Sequence, residues 1–193
     1  MGNLSDLEYR FAGEVRVDVD ASRRITGYAI VFNVKSENLG GFREIIKPEA
    51  VDRTLAEGLD VRALVDHDTG KVIGRTQSGT LRLRKEKRGL RIDIDPADTT
   101  AGRDILESVR RGDITGMSFA FRTLDDDWHV EDGEQVREVS DMRISEVSIV
   151  SFPAYPQTDV QVAMRSLEAF EKIQQASRLE WLRKIHKTRL AKR

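Results

Sequence analysis

Between Glu14 and Phe152 the apolar residues fall into short runs of strand length, punctuated by turn residues, and this pattern points to a domain built from sheet. Glu14-Val15-Arg16-Val17-Asp18-Val19-Asp20 alternates apolar and polar positions, the period of two that a half-buried strand shows. Residues 25–34 are more continuously apolar, from Ile25 through Val31 and Phe32, and read as a buried strand. Further strands are expected at 61–65, 71–76, 80–84 and 90–95, with Gly79 and Gly89 marking turns. Residues 116–124 and 136–152 read as strands again, and the acidic, polar stretch Asp125 to Glu134 between them reads as a hairpin loop. Two short helices interrupt the series. Pro48 opens one, with Val51, Leu55 and Leu59 at helical spacing; Asp98 or Thr99 caps the other over about 101–111, and Gly112 ends it. From about residue 159 the chain turns helical, charged and free of proline. Strands outnumber helices without sustained βαβ alternation. The expected class is therefore α+β, a mostly antiparallel, barrel-like core with short peripheral helices and a C-terminal helical tail.

Composition narrows the chemistry. The 193 residues contain no cysteine, which excludes disulfides, thiolate metal sites and a cysteine nucleophile. With 34% charged residues, a mean hydropathy of −0.47, no run of the roughly 18 apolar residues a membrane span needs and no signal-peptide pattern at the N-terminus, a soluble intracellular domain with no membrane partner is expected. A formal net charge of −1 gives no global attraction for nucleic acid, and no metal or other cofactor is expected.

Three residues in separate segments could act together. In an extended segment Met117, Phe119 and Phe121 share one face while Ser118 and Ala120 share the other, so Ser118 is expected on an open face beside a small neighbour. His67 follows an apolar run at the turn Asp68-Thr69-Gly70 and is the natural base for a hydroxyl nucleophile. Glu146 is expected to share a face with Ile144, Ser148, Val150 and Phe152, where a carboxylate needs a partner. Taken alone, each has a plainer reading. Ser118 could be a solvated edge-strand serine, His67 a loop histidine bonded to Asp66 or Asp68 or part of an Asp-His-Asp metal site, and Glu146 the partner of a neighbouring strand's arginine.

The order of these blocks resembles the prohead proteases of tailed bacteriophages, serine peptidases of capsid maturation with a fold related to herpesvirus assemblin. The resemblance covers most of residues 8–161. It rests on Ile25 to Asn33, Gly40 to Ala50, His67-Asp68 with Ile73 to Thr76 and Gly79-Thr80-Leu81, Arg111-Gly112-Asp113 with Gly116 to Phe121, and Glu146 to Val150 followed by Pro153-Ala154-Tyr155-Pro156. Ala120 stands where the family tends to have glycine, and Glu49 where it has glycine after the proline. The resemblance implies a serine endopeptidase with Ser118 as nucleophile and His67 as general base. Glu146 is the implied third member, with His129 the alternative because the herpesvirus enzymes use a second histidine. Implied substrates are the major capsid protein and the scaffold or its delta-domain equivalent, with the chain itself as a further implied substrate. The implied setting is the assembling prohead in the host cytoplasm, and the herpesvirus relatives suggest a homodimer. Residues 162–193 are expected to form a basic helical tail, read either as a solvated or frayed end or as an element for docking or self-cleavage. The rival reading is a catalytically silent assembly module of the same fold.

Overall fold

One long hairpin organises the sheet that carries the candidate residues. In the computed structural model of the chain, residues 7–11, 18–19, 23–152 and 161–190 are described, and the chain divides into two units, Met1–Asp159 and Val160–Arg193. Strands β9 (Gly116–Glu131) and β10 (Glu134–Val150) pair antiparallel along nearly their whole lengths. They are joined by Asp132 and Gly133, both at positive φ (54° and 82°), the backbone a two-residue hairpin turn requires. The acidic stretch Asp125 to Glu134 is therefore strand with a tight turn rather than a loop.

The long β10 accepts two partners in series along one edge. β4 (Phe42–Ile46) pairs parallel with Gln135 to Val139, and β5 (Arg62–Val65) pairs parallel with Glu146 to Ile149. Between them the chain passes through a 3-10 turn, Pro48–Val51, and the short helix α1 (Asp52–Ala56). Leu59, expected on that helix, lies beyond its end. β1 (Glu8–Phe11) pairs antiparallel with β9 on the hairpin's other side, and β6 (Asp68–Arg75) pairs antiparallel with β5. The order is β1-β9-β10-β5-β6, with β4 also on β10. Antiparallel pairing predominates as expected, but the barrel-like closure is corrected: β4 and β5 make this sheet mixed and, among the described residues, it does not close. Helical crossings between β4 and β5 let both strands run in the direction of β10.

A second sheet, β2-β3-β8-β7, is formed by β2 (Asp18–Val19), β3 (Ile25–Val31), β8 (Gly89–Ile94) and β7 (Leu81–Lys85). Gly89 is obligatory here, because a Cβ at this position would sit 1.9 Å from the Ile30 carbonyl oxygen beside an irregularity in the β3–β8 register. The core joins Ile25, Ile30, Leu90 and Ile92 of this sheet to Met117, Phe119, Phe121, Ile144, Val147 and Ile149 of the first. Each such side chain contributes roughly 2 kcal/mol by leaving water. Helix α2 (Thr100–Arg111) closes the core with Ile105, Leu106 and Val109; Thr99 caps it by accepting from the Gly102 N–H at 3.1 Å, and Gly112 ends it at φ 78°.

In the second unit α3 (Gln161–Leu190) is one unbroken helix that leaves Ile173, Leu179, Trp181 and Leu182 exposed. Among the described residues no helix is long and apolar enough to cross a membrane. The expected strand at 14–20 falls outside the described residues except for Asp18–Val19, and so does Pro153 to Pro156.

Candidate active site

The site face of the first sheet follows from register. Across β1, β9 and β10 one row reads Tyr9, Ala120, Glu146 and the next reads Phe11, Ser118, Ser148. Side chains directly opposed in a sheet share a face, so these six residues lie together, away from the core face of Phe119, Phe121 and Val147. Their placement depends on an irregularity in β10. The register shifts between Ile144, opposite Phe121, and Glu146, opposite Ala120. An extra residue at this point flips the alternation, so Ile144 enters the core while Glu146 faces the other way. The expectation that Ile144 shares the face of Glu146 is corrected by this bulge. Phe152, also expected there, lies past the end of β10 and is 80% exposed.

His67 reaches this face from a tight two-residue turn. Asp66 and His67 form the two-residue turn between β5 and β6, both in the left-handed region (φ 50° and 57°), with Val65 opposite Asp68. Aspartate and histidine are both among the non-glycine residues enriched in that region. The turn is tied to the end of β10, since the Asp66 N–H donates to the Ile149 carbonyl at 2.9 Å and Asp66 Oδ1 accepts from the Ser151 N–H at 2.7 Å. Asp68 is occupied too: the Gly70 N–H, then Lys71, hold its carboxyl below the usual range. Neither aspartate is the partner of His67. His67 Nδ1 lies 2.5 Å from Glu146 Oε1, and the Tyr9 ring meets the imidazole edge-on at 4.8 Å. Glu146 Oε2 accepts from the Ser148 hydroxyl. His67 Nε2 is buried and has no hydrogen-bond partner among the described residues. With Nδ1–H committed to a carboxylate, Nε2 is the nitrogen left to accept a proton.

Ser118 shares the face but is not open. It is fully buried, and its hydroxyl donates to the Arg10 carbonyl at 2.9 Å. The expected accessible hydroxyl is corrected because β1, which sequence reading missed, lies directly along β9. The available signal was the charged–aromatic alternation of Glu8-Tyr9-Arg10-Phe11. His129 stands eleven residues farther along β9, roughly 35 Å away at ~3.3 Å per residue, with its ring 3.9 Å from Glu131. It does not approach His67.

Sequence reading also missed the ionic cluster that anchors β1 on the opposite face. Arg10 Nε donates to Glu44 Oε1 and Arg10 Nη2 to Glu8 Oε2, each at 2.8 Å. Arg137 Nη1 donates to Glu8 Oε2 at 2.6 Å and to Glu44 Oε2 at 2.9 Å. All four side chains are buried. Burial alone would raise the Glu8 carboxyl, but Arg137 and Arg10 overrule it and hold it below its usual 4.5.

A histidine held by a carboxylate is the base half of the arrangement that serine hydrolases use; Ser118 lies on the same sheet face, with its hydroxyl on the Arg10 carbonyl rather than on His67. The caudovirus prohead serine protease profile matches residues 12–173, and the chain belongs to that family. Among solved structures it is similar to the capsid assembly protease gp21 of bacteriophage T4, with 10% identity, a TM-score of 0.45, and coverage of 75% of this chain and 97% of that one. Comparison with curated proteins gives no match.

Proposed function

We propose that this chain is the prohead-maturation endopeptidase of a tailed phage, cleaving scaffold and capsid proteins inside the assembling shell through an acyl-enzyme on Ser118. The single observation that carries the reading is the 2.5 Å contact of His67 Nδ1 with Glu146 Oε1 on the sheet face that holds Ser118. In this mechanism Ser118 Oγ turns from the Arg10 carbonyl toward His67 Nε2. Nε2 takes the hydroxyl proton as Oγ attacks the scissile carbonyl carbon, and Glu146 stabilises the imidazolium. The tetrahedral oxyanion collapses, the C–N bond breaks, and the imidazolium gives its proton to the leaving amine. Water then attacks the ester with His67 as base again, releasing the acid and restoring the Ser118 hydroxyl.

Incubation of the purified protease with its phage's scaffold and capsid proteins tests the reading. Ser118→Ala is expected to abolish cleavage and to cost about 1 kcal/mol of stability, one buried hydrogen bond. Processing by Ser118→Ala at the wild-type rate would contradict the nucleophile assignment. One observation favours the silent-module reading instead: the Ser118 hydroxyl is fully buried and satisfied by main chain. Under that reading the folded wild type binds shell proteins and cleaves none.

A further inference from the structure

The carboxylate of Glu146 has two oxygens, and only one of them serves His67. Oε1 lies against Nδ1, while Oε2 accepts the hydroxyl proton of Ser148, two residues along the same strand face. Ser148 is fully buried and directly opposite Ser118 in the β9–β10 register. A buried carboxylate oxygen left without a donor carries a desolvation penalty. Two further features focus this pair on the site. The bulge between Ile144 and Glu146 brings Glu146 and Ser148 onto the face of Ser118 together. The Asp66–Ser151 contacts tie the His67 turn to the residue just past the same strand.

We propose that Ser148 is a positioning residue of the protease. Its hydroxyl locks the carboxylate plane of Glu146 so that Oε1 faces Nδ1–H and Nε2 is held as the free base. This rests on the proposed roles of Ser118, His67 and Glu146.

The test measures kcat and KM on a scaffold-derived peptide together with the low-field proton resonance of His67 Nδ1–H, in wild type, Ser148→Ala, Ser148→Cys and Ser118→Ala. Ser148→Ala is expected to lower kcat by about 10-fold or more, the usual scale for a lost supporting hydrogen bond, with KM within about 2-fold, and to move the low-field resonance upfield. Ser148→Cys keeps the volume with a weaker donor, so its kcat is expected to lie between those of the alanine variant and wild type. It also carries the test if the alanine variant does not fold. Ser118→Ala is expected to be inactive with the low-field resonance in place, because the His67–Glu146–Ser148 chain is intact. A Ser148→Ala enzyme with wild-type kcat and an unmoved resonance overturns the positioning role alone. Turnover by Ser118→Ala overturns the underlying site reading instead.

Discussion

In the proposed mechanism Glu146 decides the chemistry at the scale of single residues. As a carboxylate it accepts from Nδ1–H of His67 and from Ser148; as an amide it could present an N–H to Nδ1 and favour the wrong tautomer. Glu146→Gln is therefore expected to lower kcat by on the order of 10³- to 10⁴-fold, the scale of the same change in a serine protease triad. His129→Ala is expected to leave peptide hydrolysis within about 2-fold, as for surface changes remote from a site. Steady-state assays of the two variants check the ranking, and the reverse order would move the third position to His129. The three candidates were named from residue type, block order and the family resemblance, and the structure brings His67 and Glu146 into contact. The flip of Ile144 into the core was not legible in the sequence, because a bulge leaves no mark in an alternating sequence. Nor was the Ser118–Arg10 contact, which depends on a strand 108 residues away in sequence.

The decisive element is β1. It lays Tyr9 against the His67 ring, places the Arg10 carbonyl at the Ser118 hydroxyl, and is fixed by Glu8 and Arg10 within the buried cluster with Glu44 and Arg137. Neutralising one member of a buried ionic group leaves its partner's charge uncompensated, at a cost of about 3–5 kcal/mol. Glu8→Gln is expected to destabilise the protein by about that amount in urea denaturation. A loss under about 1 kcal/mol, the value of an exposed ion pair, would mean that the cluster does not hold β1. The helix α2 was legible to within a residue, because Thr99 and Gly112 are local caps. The hairpin tip was misjudged for the opposite reason: charge density resembles a loop, and only the Asp132-Gly133 turn marks it as strand.

At the scale of the whole molecule, carboxylates held low by arginines contribute stability that acid removes. Asp95 is lowered from its usual 3.8 to about 2 by hydrogen bonds from Arg82 and then Arg24, and Glu8 lies below its usual 4.5. Both folded values are depressed, so their stabilisation is present above the unfolded values and is lost as pH falls. The Asp95 share disappears between pH 3.8 and about 2. Urea midpoints are expected to fall across that window and to fall less steeply in Asp95→Asn; identical slopes would show that Asp95 has no part in it. The sheet-rich class of the chain was legible from period-two runs. The parallel pairing of β4 and β5 with β10 was not, because strand direction depends on how the chain crosses between strands.

The central claim is that His67 activates Ser118, and covalent labelling with a serine-directed phosphonate followed by peptide mapping tests it most directly. The expected result is a single adduct on Ser118 in the folded wild type, lost in His67→Ala. No adduct on folded wild-type protein, or an adduct whose formation is indifferent to His67→Ala, would contradict it.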